Sequence, residues 1–139
     1  MKLFKLTTII GAIAVLIMTG CKKDIDEPIL RGLVYVNQTD HPVTVTLQGE
    51  ELHSKETSAQ IPPRADVMFR VHSFDPFLSS CTFTFDDGKK VVYDLNDAGS
   101  NMDSSNPLWL GSYQQTVSEE GLNVLFYFTI TDEHYRMAE

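Results

Sequence analysis

The stretch CTFTFDDGKKVVYDL, residues 81–95, decides the fold class. Successive side chains of an extended chain point to opposite faces, so Cys81, Phe83 and Phe85 share one side and Thr82 and Thr84 the other. Asp86-Asp87-Gly88 then interrupts the pattern before Val91 and Val92 resume it. Asp-Gly is a tight-hairpin signal because both residues tolerate the positive φ that such turns demand. The reading is a β-hairpin with one apolar face.

Working outward, the period of two continues almost end to end. RGLVYVNQ (31–38) sets Leu33 and Tyr35 against Val34 and Val36, and PVTVTLQG (42–49) sets Val43, Val45 and Leu47 against Thr44 and Thr46. The turn-rich TDHP (39–42) between them predicts a second hairpin. ADVMFRVHS (65–73) places Val67, Phe69 and Val71 opposite Met68, Arg70 and His72. GSYQQTVS (111–118) and LNVLFYFTITD (122–132) add two more strands. The second has Leu122, Val124, Phe126, Phe128 and Ile130 on one face and reads as a central strand. With the short SAQIP (58–62) the total is seven or eight strands at turn spacings typical of a β-sandwich. No stretch after residue 20 sustains a helical period over ten residues. The expected fold is all-β, a single β-sandwich, immunoglobulin-like or transthyretin-like, over residues 31–139.

The N-terminus has a different character. Lys2 and Lys5 precede an uncharged apolar run from Thr7 to Met18. Its 12 residues would rise about 18 Å as a helix, against a hydrocarbon core of about 30 Å, so they suit the core of an export signal rather than a transmembrane span. Met18-Thr19-Gly20-Cys21 follows directly. This resembles the lipobox of bacterial lipoproteins, with Met18 where that family prefers leucine. The resemblance implies removal of residues 1–20 and a mature chain starting at Cys21, its sulfur carrying diacylglycerol and its amine an acyl chain such as palmitate. A thiolate is a strong enough nucleophile for the thioether, and several acyl chains anchor stably where one is marginal. KKDIDEPIL, residues 22–30, reads as a charged tether that extends to about 30 Å at most. Its charges also resemble the run behind the lipidated cysteine of surface lipoproteins in Bacteroides-type bacteria, and a solvated linker is the alternative. The whole chain is similar to small uncharacterised single-domain lipoproteins of those bacteria. The implied location is the outer membrane of the cell envelope, on the periplasmic or the surface face.

The chain carries 11 basic and 19 acidic residues, and removing Lys2 and Lys5 with the signal takes the net charge from −8 to −10. Nothing in so acidic a domain displaces phosphate counterions, which argues against nucleic acid as a partner. Lipid, rather than charge, would hold the chain at the membrane. With Cys21 acylated, Cys81 is left without a partner in the chain. A disulfide framework and a multi-cysteine metal site are then excluded, and Cys81 reads as a small core hydrophobe.

No motif points to catalysis. There is no Gly-x-Ser-x-Gly elbow, and His41, His53, His72 and His134 are scattered without a matched nucleophile and acid. Asp94, Asn96, Asp97, Asn101 and Asp103 loosely resemble a calcium loop, but Ala98 occupies the fifth loop position, where a ligand belongs, and Ser105 the twelfth, where the bidentate glutamate belongs. The expectation is a non-catalytic protein with no cofactor and no metal. One candidate binding surface remains. The polar stretch NDAGSNMDSSNP (96–107) leads into LWLGSY (108–113), which brings Asn101, Asp103, Trp109 and Tyr113 together in sequence, and aromatics beside long loops commonly contact glycans or proteins. Packing against the core is the competing reading for the lone tryptophan. The function that follows is a monomeric binding or accessory module for an envelope glycan or protein. A pilin-like or adhesion assembly subunit is the alternative.

Overall fold

The hairpin at 81–95 forms in the computed structural model, which describes residues 30–50, 52, 56–72, 78–97, 103–120 and 123–139. The export signal, Cys21 and the tether up to Ile29 lie outside the described residues. So do Asn101 and His53. The described strands are β1 (Leu30–Asn37), β2 (Val43–Gln48), β3 (Glu56–Ile61), β4 (Asp66–Arg70), β5 (Ser80–Phe85), β6 (Lys90–Asp94), β7 (Gln114–Val117) and β8 (Asn123–Ile130). A 3-10 turn at Leu110–Ser112 precedes β7, and a short helix α1 (Asp132–Met137) follows β8. The strands make two four-stranded sheets, β4-β1-β8-β7 and β3-β2-β5-β6. The chain is an all-β sandwich.

In β5–β6, Cys81 pairs with Tyr93 and Phe83 with Val91. The connection differs in detail from the expected turn. The Phe85 carbonyl accepts from Gly88 N–H at 3.0 Å and Phe85 N–H donates to the Lys89 carbonyl at 2.8 Å. Gly88 alone takes the left-handed conformation, at φ 86°, so one glycine suffices where two positive-φ residues were expected.

The hairpin expected at 39–42 does not form. β1 pairs with β4 and β8, while β2 pairs with β3 and β5, so TDHP carries the chain from one sheet to the other. The reason is buried polar chemistry. Asn37 donates through Nδ2 to the carbonyls of His41 (2.8 Å), Ile61 (3.1 Å) and Pro62 (3.2 Å). Its Oδ1 accepts from the Thr39 N–H (3.0 Å) and hydroxyl (2.7 Å). The asparagine thereby ties the crossing to the end of β3. The neighbouring turn of Pro62 to Ala65 places Arg64 at φ 62°, where its N–H donates to the Asn37 carbonyl at 2.9 Å.

The inner faces match the period-two reading. Leu33, Tyr35, Phe69, Val124, Phe126, Phe128 and Ile130 meet Val43, Val45, Leu47, Ile61, Cys81, Phe83 and Phe85 across the interior, all buried. Tyr35 is the hub, with ring centroids 5.7 Å from Phe69, 6.2 Å from Phe83 and 5.8 Å from Phe128. Cys81 packs among them, and burial pushes its thiol well above the ordinary value, so it stays protonated. β8 lies between β1 and β7, pairing in parallel with the first strand and antiparallel with the other. The first strand takes Leu30 from the expected tether, pairing it with Asn123.

Candidate functional site

β7 begins at Gln114, opposite Tyr127, whereas β8 continues past that pair to Ile130. Among the described residues, Phe128 to Ile130 of β8 therefore have no strand beside them on the β7 side. The 104–112 segment and α1 wall this gap into a cleft of about 250 Å³. Ser104, Ser105 and Ser112 line it from the loop, Gln114 from β7, Tyr127 and Thr129 from β8, and Glu133 from α1, with the buried Phe128 beneath.

His134 holds the cleft together. It is 3% exposed and packs edge-on against Phe83 (5.5 Å) and Phe128 (5.4 Å). A carbonyl oxygen only accepts, so the 3.0 Å contact to the Ser105 carbonyl fixes the proton on Nε2. Nδ1 is then the acceptor and takes the Thr131 N–H at 3.0 Å, standing in for the glutamate of a capping box at the start of α1. Burial lowers the pKa of the ring. Both nitrogens are committed to structure, which leaves neither free as a general base.

The loop is shaped by its own side chains. Asp103 Oδ1 accepts from the Ser105 N–H at 2.9 Å and from its hydroxyl, and these bonds hold the carboxyl below its ordinary value. Asn106, buried, accepts from the Leu108 N–H at 2.9 Å, and its carbonyl accepts from the Ser112 hydroxyl at 2.8 Å. Asp103 is exposed beside Ser104 and Ser105. Trp109 is 38% exposed and lies against Gly111, where an added Cβ would come within 2.6 Å of the indole. It does not line the cleft. Tyr113 turns inward: its hydroxyl donates to the Pro107 carbonyl at 2.6 Å and lies 2.7 Å from that of Tyr35.

Of the residues singled out in the sequence, Asp103 adjoins Ser104 of the cleft wall, Trp109 and Tyr113 do not line the cleft, and Asn101 lies outside the described residues. Gln114, Thr129 and Glu133 went unnoticed because they converge from β7, β8 and α1, and no short-range pattern marks that meeting. His134 was missed because a histidine in the third helical position is not the Glu or Gln that signals a capping box.

A second polar cluster lies near the hairpin turn. The His41 ring stacks on Tyr135 at 4.1 Å, and its Nδ1 is 3.2 Å from Asp86 Oδ1. Tyr135 donates to Asp87 Oδ2 at 2.6 Å, which lowers the Asp87 carboxyl and raises the tyrosine. Lys89 Nζ sits 5.2 Å from the Tyr135 ring centroid. These contacts latch α1 to two turns. Among the described residues no group of three or more His, Cys, Asp or Glu is placed to hold a metal ion.

The cleft offers hydroxyls, an amide and one carboxylate around an aromatic floor. Such a lining suits hydrogen bonding to a polyol or to a peptide backbone. Comparison of the chain with protein-family models, with curated proteins and with solved structures finds no match.

Proposed function

We propose that the chain is a non-catalytic, lipid-anchored binding module of the bacterial cell envelope. Cys21 carries the acyl chains, residues 22–29 form the spacer, and the sandwich holds an envelope glycan or protein. The cleft beside Gln114 carries this reading. It combines hydrogen-bonding groups with a buried aromatic, and its histidine is fully occupied with structure. Acyl-transfer sites need a base with a free ring nitrogen beside the nucleophile, and both nitrogens of His134 are engaged. The pilin-like alternative is disfavoured by β8, which lies between two neighbours in its own sheet and is not a strand to donate.

A photoreactive residue at Gln114, used on intact cells, tests the site. Adducts that depend on Gln114 and are absent when the same group replaces Thr46 on the opposite sheet support the proposal. Equal labelling at both positions contradicts it. The anchor is tested by mass spectrometry of the membrane-extracted protein. A mature N-terminus at Cys21 without added lipid mass refutes that half of the proposal.

A further inference from the structure

Among the described residues four strands form sheet edges in the sandwich, and three have features that discourage pairing with another chain. β4 carries the charges Asp66 and Arg70 on its exposed positions, and β3 runs into Pro62-Pro63. β6 begins and ends with the charges Lys90 and Asp94, and its first residue is already paired. Lys90 and Glu139 exchange two backbone hydrogen bonds of 3.0 Å. Charges, prolines and covered ends are the usual ways that natural sheets block edge-to-edge association.

β7 has none of them. Gln114, Gln115, Thr116 and Val117 are uncharged, unbroken in register and all exposed, with Val117 54% accessible. The orientation of its backbone follows from one bond. Ser118 N–H donates to the Asn123 carbonyl at 2.9 Å, and antiparallel ladders alternate, so Thr116 and Gln114 also face β8. The N–H and C=O of Gln115 and Val117 therefore point away from the sheet. Among the described residues no hydrogen bond to them is found.

Resting on the reading of the chain as a binding module, we propose that β7 is the docking edge for an extended peptide segment of a partner protein, basic at its ends. Such a segment would form backbone hydrogen bonds with Gln115 and Val117 and add a fifth strand to the sheet. Charge selects its chemistry. Glu119 and Glu120 are exposed just past one end of β7, and Glu133 lines the cleft at the other, beside Gln114. Lysine or arginine near both ends of the segment would meet these carboxylates. A second copy of the chain would instead bring the same glutamates, on a chain of net charge −8, against each other.

The test uses a capped octapeptide of alternating threonine and valine with a lysine at each end, titrated into the isotope-labelled full chain. The expected result is a shift of the Gln115 and Val117 amide signals, with affinity at least tenfold weaker for the same peptide ended in glutamate. Gln115→Pro removes one outward donor but no bond to β8, and should weaken binding at least tenfold. Val117→Lys keeps the backbone donors, adds a repelling charge, and should also weaken it if the proline variant fails to fold. No shift at millimolar peptide overturns the proposal. Unchanged affinity in both variants overturns it too, as does a β7-dependent dimer that excludes the peptide. Failure of the peptide with persistent Gln114-dependent cross-linking would reject this edge while leaving the broader binding function in place.

Discussion

The β1–β2 crossing and β7 both carry uncharged polar residues, Asn37 and Thr39 in one and Gln115 and Thr116 in the other, and use them in opposite ways. At the crossing, Asn37 and Thr39 are fully buried, and the asparagine satisfies five hydrogen-bonding contacts from one side chain. In β7, Gln115 and Val117 turn their backbone groups outward, and Gln115 and Thr116 stand exposed. A buried amide is retained only where its partners surround it, because leaving it unpaired is costly. An exposed backbone edge has no such constraint and is free to take a partner from outside. Satisfied polarity here ties the two sheets together, and the outward backbone polarity of β7 is what the proposed docking would use.

The largest effect is expected at Asn37. Asn37→Ala strands the acceptors and donors around it in a buried site, and the expected loss is about 3–5 kcal/mol in urea denaturation. A loss under about 1 kcal/mol would mean that the crossing is not what joins the sheets. Gly88→Ala comes next. Nothing lies within 4 Å of the added methyl, so only the left-handed backbone at φ 86° resists it. The expected cost is about 1–2 kcal/mol, read from the same denaturation curves.

A smaller effect comes from His134. Its pKa is depressed in the folded state below the ordinary 6.5, so the unfolded chain binds the proton more readily. Its contribution is fully present above the unfolded pKa and is lost as pH falls from about 6.5 through the folded value. Thermal midpoints should drop between pH 7.5 and pH 5.5, and the drop should shrink in His134→Gln. An equal drop in the variant would assign the effect to other groups. Gln115→Pro has the smallest expected effect on stability, within about 0.5 kcal/mol, because the N–H it removes is not bonded to β8.

Much of the sandwich was legible because its inner faces are written locally. Cys81-x-Phe83-x-Phe85 and Val124-x-Phe126-x-Phe128-x-Ile130 alternate without a break, and Gly88 marks its own turn. The sheet assignment of β1 was not legible. Its partners are β4 and β8, and the parallel pairing of Leu30 with Asn123 joins residues far apart in sequence. TDHP carries turn residues whether it closes a hairpin or crosses between sheets. The decision rests on Asn37, whose carbonyl partners become visible only once β3 is in place. The cleft was hidden for the same reason: β7 is shorter than its neighbour, and only the register of Gln114 with Tyr127 reveals the space left beyond it.

Amide hydrogen exchange resolved by residue measures directly whether β7 is an open edge. The Gln115 and Val117 amides should exchange at least about tenfold faster than that of Thr116, which is bonded to β8, in the full chain without a partner. Equal protection across Gln115, Thr116 and Val117 would show that the edge is already covered and would contradict the assignment.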